Sequence, residues 1–332
     1  MSYTPPFTIT ADILNLVAKI SEQVGMFNAR AFDASPKLRK QNRIKTIAGT
    51  LAIEGNTLTE EQITAIVDGQ SVMGSARELA EVQGAIKAYE ILTQLNPDNT
   101  EDLLQAHTLM MSDVLVNAGK FRDKAVGIHK GKTVHHIAPP AHQVSGLMAD
   151  LTHWTKQSND HPLIISSIFH YEFEFIHPFT DGNGRMGRLW QTLILSKWHP
   201  LFLSLPLESM IKDNQQNYYQ ALEQADEQAE STPFIHFMLS VISQTLVQNA
   251  SVNASVNASV NLNTLKTTDA IMSLIKENPP MTRQQMAEHT GKDLRTIGRA
   301  IAKLQHMGKL TRIGSDKTGH WKIVTDQKYL CR

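Results

Sequence analysis

Residues 177–188, His-Pro-Phe-Thr-Asp-Gly-Asn-Gly-Arg-Met-Gly-Arg, gather an imidazole, a carboxylate, a glycine-rich turn and two guanidinium groups into one short stretch. His177 can take a proton near neutral pH. Asp181-Gly182-Asn183-Gly184 reads as a tight turn whose glycines let the backbone approach a ligand. The first amides of the helix that follows lack intrahelical acceptors and point outward under a positive dipole end, which makes an anion site suited to phosphates. Arg185 and Arg188, three residues apart in that first turn, add two guanidinium forks to the same end. Asp181 would repel a phosphate met directly, which argues for an intervening Mg²⁺. Singly, the histidine reads as a helix-end residue, the glycines as a turn and the arginines as surface charge. Together they read as a site for phosphoryl or nucleotidyl transfer.

The elements that must hold this stretch are helical. Ile164, Ile165, Ile168, Phe169, Phe173 and Phe175 form an apolar helix that ends at His177-Pro178, where proline stops it. Met186, Leu189, Trp190, Leu193 and Ile194 give the next helix its buried face. Helical spacing recurs at Ile13, Leu14, Leu16, Val17, Ile20 and Val24, and again at Leu79, Val82, Ile86, Tyr89, Ile91 and Leu92. A further helix through Ile44, Ile47, Leu51 and Ile53 stops at Gly55, leaving Glu54 as a carboxylate slightly mismatched to its dipole. Residues 124–138 read as a hairpin around Lys130-Gly131-Lys132.

The repeat NASVNASVNASVN, residues 249–261, is small, polar and uncharged, so it reads as a linker. Its four-residue period also keeps Val252, Val256 and Val260 near one face of a helix, which leaves a helical extension open. Beyond it come a helix from Thr268 to Lys276, a Pro279-Pro280 break and a helix opened by a Thr282 to Gln285 capping box. After Gly291 a third helix carries a Leu294, Ile297, Ile301, Leu304 stripe, with Arg295, Thr296, Arg299 and Lys303 facing outward. LTRIGSDKTGHWKIV closes the chain with two short strands. Three helices and a hairpin is the order of a winged helix-turn-helix, with DNA or a protein left open as its partner.

The chain of 332 residues, 41% hydrophobic and 19% charged, has the composition of a globular protein of two or three domains. No apolar run approaches the ~18 residues of a membrane span, and the N-terminus lacks a signal-peptide pattern, so the expectation is a cytoplasmic protein without a membrane partner. Its one cysteine, Cys331, excludes an intrachain disulfide and a thiolate metal cage. The overall charge of zero is unevenly divided. Residues 262–332 hold thirteen basic and six acidic side chains, net +7, so residues 1–261 carry −7, which suggests an attached module with an anionic partner.

With these residues in view the chain resembles the Fic family of protein nucleotidyltransferases. The family motif His-x-Phe-x-Asp/Glu-Gly-Asn-Gly-Arg-x-x-Arg is matched at His177, Phe179, Asp181, Gly182, Asn183, Gly184, Arg185 and Arg188, and the resemblance covers roughly residues 10–240. It implies a mainly α fold, a helical bundle with a β-hairpin flap, followed here by the C-terminal winged helix-turn-helix. By that resemblance His177 is the general base for attack of a target hydroxyl on the α-phosphate of ATP. Asp181 holds Mg²⁺, the 182–184 turn binds the α- and β-phosphates, and Phe179 anchors the loop in the core. AMP then stays on a Ser, Thr or Tyr of a target protein or of the enzyme itself. A related phosphorylating branch has lysine in place of the second motif glycine, so Gly184 favours AMP transfer.

Thr133, Val134, His135, His136 and Ile137 resemble the flap edge that docks the target by strand addition. His135 and His136 also suggest a metal pair, but nothing nearby completes a ligand set. Tyr218 and Tyr219 resemble the tyrosines of the family's adenine pocket, with ordinary helix packing as the competing reading, and Asp226 stands where some relatives have Asn. Thr50-x-x-x-Glu54-Gly55 resembles the signature of an inhibitory helix, which implies that Glu54 pairs with Arg188 and denies it to the γ-phosphate. The expected domains are an N-terminal helical region with the inhibitory helix (1–95), the catalytic core (96–245), the repeat linker (246–263) and the winged helix (264–332). Protein adenylyl transfer is the leading reading. Removal of AMP by a phosphodiesterase reaction, or a nucleotide-sensing DNA-binding regulator, stands as an alternative, and a homodimer is left open.

Overall fold

The computed structural model describes residues 3–29, 36–130, 133–264, 266–314 and 319–324. The chain divides into two compact units, Met1–Asn249 and Ala250–Arg332.

In the first unit, α1 (Ala11–Ala29), α2 (Pro36–Ile53), α3 (Glu60–Val67), α4 (Ala76–Glu90) and α5 (Thr100–Met111) precede a hairpin of β1 (Gly127–Lys130) and β2 (Thr133–Ile137). After it come α6 (Ala141–Gln157), α7 (Pro162–Ile176), α8 (Asn183–Trp198), α9 (Leu207–Asp213), α10 (Gln215–Gln228) and the start of α11 (Thr232–Thr264), which continues past Asn249 into the second unit. A helix apolar on every side belongs at the centre of a core. In α7, Leu163, Ile168, Phe169 and Phe173 are fully buried, and α8 packs on it with Met186, Leu189, Trp190 and Leu193. The Trp190 indole N–H, which needs an acceptor once buried, donates to Pro97 O at 3.1 Å. Capping boxes start α3 at Thr59 with Gln62 and α4 at Ser75 with Glu78.

Several sequence expectations shift. The buried stripe of α1 is Ile13, Ile20 and Val24, while Leu14 is 61% exposed, because a residue one step from Ile13 is rotated by about 100°. The hairpin is antiparallel, but its register slips between Ile128 and His129, which makes His135 the extra residue of a bulge; Gly131 and Lys132 lie outside the described residues. The backbone of residues 249–261 is helical within α11 rather than an open linker. The repeat contains neither Gly nor Pro to stop a helix, and its alanines favour one.

The second unit holds α12 (Thr267–Glu277), α13 (Arg283–Thr290), α14 (Leu294–His306) and an antiparallel hairpin of β3 (Leu310–Ile313) and β4 (His320–Ile323). Ile271, Leu274, Met286, Ile297, Ile301, Leu304, Leu310 and Trp321 make its core. The Thr282 capping box forms as read, and Gly291 ends α13 at φ 62°, a left-handed conformation that glycine adopts without a Cβ penalty. Leu294 is 56% exposed at the first position of α14, and Ala300 completes the buried stripe in its place. Among the described residues no helix is long and apolar enough to cross a membrane.

Gly84 marks the tightest helix crossing. A Cβ there would sit 2.1 Å from Met110 O of α5, whereas one on Gly25 of α1 would meet nothing within 4 Å. Gly25→Ala should therefore stabilise the protein by ~0.4–1 kcal/mol through helix propensity. Gly84→Ala should destabilise it by ~1–3 kcal/mol, because backbone must move to admit the methyl. Urea unfolding of both variants compares the signs directly.

Candidate active site

α7 ends at Ile176, and His177 follows as its C-cap at φ 49° and ψ 60°, a left-handed conformation seldom adopted outside glycine. Its N–H donates to Phe173 O at 2.9 Å, and its side chain is half-buried. The loop then dives into the core. Phe179 is fully buried and lies face to face with the His107 ring, centroids 3.6 Å apart. The Asn183 side chain clasps the Phe179 backbone, accepting from its N–H at 2.8 Å and donating to its carbonyl at 2.9 Å. Asn183 thus shapes the loop with its amide, and only its main-chain N–H is left to face a ligand.

His107 holds the far end of the loop. Gly119 N–H donates to Nδ1 at 2.8 Å, so the proton sits on Nε2, which donates to Asp181 O at 3.0 Å. Burial lowers its pKa to about 4 and keeps the ring neutral. Gly182 caps α8 at φ 86°, and its N–H donates to Asp181 Oδ1 at 2.6 Å. The Asp181 carboxylate also receives Arg185 Nη2 on Oδ1 and Arg77 Nη2 on Oδ2, both at 3.1 Å. Glu81, 8% exposed, lies behind these guanidiniums, 3.1 Å from Arg77 Nε and 3.5 Å from Arg185 Nη1, and accepts from Asn56 Nδ2 at 2.9 Å. Among the described residues no group of three or more His, Cys, Asp or Glu could hold a metal by itself.

Arg188 is 1% exposed. Nη2 donates to Glu54 Oε1 at 2.7 Å and to Thr50 O at 3.1 Å, and Nε donates to Thr50 Oγ1 at 2.9 Å. Burial pulls the guanidinium pKa down, but the carboxylates of Glu54 and Glu174, with Tyr218, outweigh it and leave it raised. Glu54 reaches this position because Gly55, at φ 89°, ends α2 and lets Asn56 N–H fold back to Leu51 O at 3.1 Å. The fit depends on Gly184: a Cβ there would lie 2.3 Å from Glu54 Oε1 and 3.0 Å from Arg188 Nη1. Arg185 Nε and Arg188 Nη1 are buried donors without a hydrogen-bond partner among the described residues.

The two tyrosines part company, since adjacent residues of a helix point in different directions. Tyr218 is 2% exposed in the core, with its hydroxyl 3.1 Å from His170 Nε2, so helix packing accounts for it and no face is left for a ligand. Tyr219 is 40% exposed and its hydroxyl donates to Ile53 O at 3.5 Å, beside the end of α2. Asp226 accepts from the Tyr171 hydroxyl at 2.9 Å. For Thr133, Val134, His135, His136 and Ile137 the structure describes the backbone strand. Sequence reading missed Arg77, Glu81, His107 and Glu174, which are unremarkable charged or polar residues until folding brings them to the motif; the Arg188 contact made by Thr50 was likewise invisible.

Glu174 on α7 is the least comfortable of these. Burial pushes its carboxyl up to about 7, with Arg188 opposing and Glu54 reinforcing the shift, and its Oε1 has no hydrogen-bond partner among the described residues. A folded-state pKa above the unfolded value means that stability is fully present below the unfolded pKa, about 4.5, and is lost as pH rises through about 7. Glu174→Gln, which stays neutral, should unfold later than wild type at pH 8 by on the order of 3 kcal/mol and differ little at pH 4.5. Thermal melts across that window test this.

Residues 97–195 match the Fic/DOC family. The chain is 29% identical over 256 residues to a protein of Drosophila mojavensis named protein adenylyltransferase Fic, an alignment covering 71% of this chain and 48% of that protein. A similar relative from Culex quinquefasciatus is 30% identical over 66% of this chain and 44% of its own length. The chain thus spans about half the length of the curated relatives it matches. Among solved structures, the fold is shared at TM-score 0.61 and 23% identity with Fic-1 of C. elegans, covering 74% of each chain. A Fic family protein from Desulfovibrio desulfuricans G20 is 40% identical, with TM-score 0.74 over 98% of this chain and all of that one. A match of that identity along both whole chains, joined to an unbroken motif from His177 to Arg188, places this protein in the Fic family.

Proposed function

We propose that this protein is an adenylyltransferase that moves AMP from ATP to a protein hydroxyl, and that Glu54 holds it back. The observation that carries this reading is the buried Arg188 guanidinium held by the solvent-reaching Glu54 carboxylate beside the N-terminus of α8. Arg185 Nε and Arg188 Nη1 are buried there without acceptors, and buried donors without partners suit an incoming anion. In the forward reaction His177 accepts the proton of a Ser, Thr or Tyr hydroxyl whose oxygen attacks the α-phosphorus. The bond from that phosphorus to the bridging oxygen breaks, pyrophosphate leaves, and AMP remains as an ester. The main-chain amides of 183–185 and the Arg185 guanidinium face the phosphates, and Arg188 takes the γ-phosphate once Glu54 releases it. The backbone edge of residues 133–137 docks the target by strand addition.

A single partly exposed carboxylate beside a phosphate cradle fits Mg²⁺, which takes one or two protein oxygens and draws the rest from phosphates and water. Asp181 would hold it, and the ion would neutralise charge developing on the phosphates. Arg77 and Arg185 must then share or yield the two Asp181 oxygens they now hold.

Freed from its carboxylate, Arg188 should speed the reaction. Glu54→Gly is expected to label itself and lysate proteins with α-labelled ATP faster than wild type, with Glu54→Gly/Arg188→Ala falling back. Adding His177→Ala to Glu54→Gly should lower transfer by ~10²–10⁴-fold while ATP still binds. Equal labelling by wild type and Glu54→Gly at matched ATP and Mg²⁺ sinks the brake. A modified target that wild type slowly clears would favour the demodifying reaction.

The second unit we read as a winged helix-turn-helix, with α14 as the groove-facing helix. Arg295, Arg299 and Lys303 recur every four residues on its exposed side, and residues 262–332 carry net +7. Duplex DNA is the proposed partner. Electrophoretic shifts of the full chain should weaken steeply as salt rises, and Arg295→Ala/Arg299→Ala should flatten the log–log salt slope by about two. Absence of binding to varied duplexes at low salt points to a protein partner.

A further inference from the structure

Arg122 sits in the segment between α5 and β1 and is 3% exposed. Its guanidinium donates to four main-chain oxygens: Nε to His177 O at 2.7 Å, Nη2 to Ile176 O at 3.2 Å and to Pro139 O at 2.5 Å, and Nη1 to Lys124 O at 2.9 Å. Its own N–H donates to Pro178 O at 2.9 Å. These acceptors form two groups. Ile176 and His177 supply carbonyls at the end of α7, which have no intrahelical donor and which the helix dipole makes attractive to a cation. Lys124 and Pro139 stand at the two roots of the hairpin, before β1 and after β2.

One rigid fork therefore bolts the feet of the hairpin to the residue that carries the imidazole. The planar guanidinium has five donors in fixed directions, so it can span all four oxygens; an ammonium on a flexible stem cannot. The left-handed conformation of His177 is strained for a residue with a Cβ and persists only where neighbours over-determine it. Arg122 grips the carbonyls on either side of that strained Cα, Ile176 and His177, and the Pro178 carbonyl just beyond.

We propose that Arg122 is a positioning residue that locks His177 to the roots of the hairpin, so that a segment paired on the 133–137 edge presents its hydroxyl in register with the imidazole. The inference rests on the reading of His177 as proton acceptor and of that edge as the docking strand. A misplacement of about 1 Å between base and hydroxyl is enough to cost ~10²-fold in rate, whereas the phosphate cradle on α8 makes no contact with the Arg122 side chain in this bonding set and should be spared.

The test uses the full chain with Arg122→Lys and Arg122→Ala, each also in the Glu54→Gly background. Three quantities are read: hydrogen exchange at residues 133–137 and within α8, the ¹³C-edited NMR signal of the His177 ring, and transfer kinetics beside ATP affinity by calorimetry. Arg122→Lys should raise exchange in the hairpin at least tenfold and shift the His177 signal, with α8 protection and ATP affinity within twofold of the parent. Its kcat should fall ~10²-fold, and millimolar guanidinium should return part of the kcat of Arg122→Ala. An unmoved His177 signal with unmoved hairpin exchange overturns the proposal. So does uniform loss of protection through α7 and α8, which would make Arg122 a fold-holding residue. If the Glu54→Gly parent transfers no AMP, the catalytic reading fails by itself, while exchange and the His177 signal still decide whether Arg122 couples hairpin to histidine.

Discussion

Arg188 brings a full positive charge to a place where it is 1% exposed, and a charge taken out of water must be met by partners or it destabilises the fold by several kcal/mol. Much of the site follows from meeting that demand. The end of α2 delivers Thr50 and Glu54 to the guanidinium, Gly55 turns the chain away so that the carboxylate can reach it, and Gly184 leaves the space that both side chains need. Glu174 lies close enough on α7 to feel the same charge, and its own burial keeps it on the edge of protonation. The proposed brake and the stability of the fold are therefore one interaction: the charge that ATP would use is the charge that Thr50 and Glu54 satisfy within the chain.

The loop from His177 to Asp181 answers a second constraint. It must leave a buried helix, cross the core and enter another helix without stranding its polar backbone. Phe179 and its stack on His107 supply the apolar anchor, and Asn183 clasps the backbone at that anchor. Arg122 takes the carbonyls at the near end, and His107 takes the Asp181 carbonyl at the far end. Such a frame places His177 and Asp181 on backbone held from both sides, the rigidity that the proposed proton transfer requires.

The two units carry different chemistry on one chain. The first concentrates the buried cations Arg185 and Arg188 against carboxylates; the second keeps Arg295 and Arg299 on the solvent side of a small core of its own. Buried charges of the first kind suit a single specific ligand, and exposed ones of the second kind underlie the polyanion partner proposed for that unit.

Much of the local structure was legible in the sequence. The helices on either side of the motif, the hairpin, the stop at Gly55 and the capping box at Thr282 follow from periodicity and residue chemistry, which act over a few positions. Local patterning did not reach how far each apolar stripe is buried, so Leu14 and Leu294 proved exposed, nor which of two adjacent tyrosines enters the core. It left the repeat at 249–261 undecided because small polar residues tolerate coil and helix alike. The partners of the motif were beyond reach for a different reason. Glu54 was found through a family signature, but Arg77, Glu81, His107, Arg122 and Glu174 lie on elements other than the motif loop and α8 that carry Asp181 and Arg188. Only tertiary packing decides that these groups meet, because the elements that carry them are brought side by side by burial of the apolar core rather than by any local pattern.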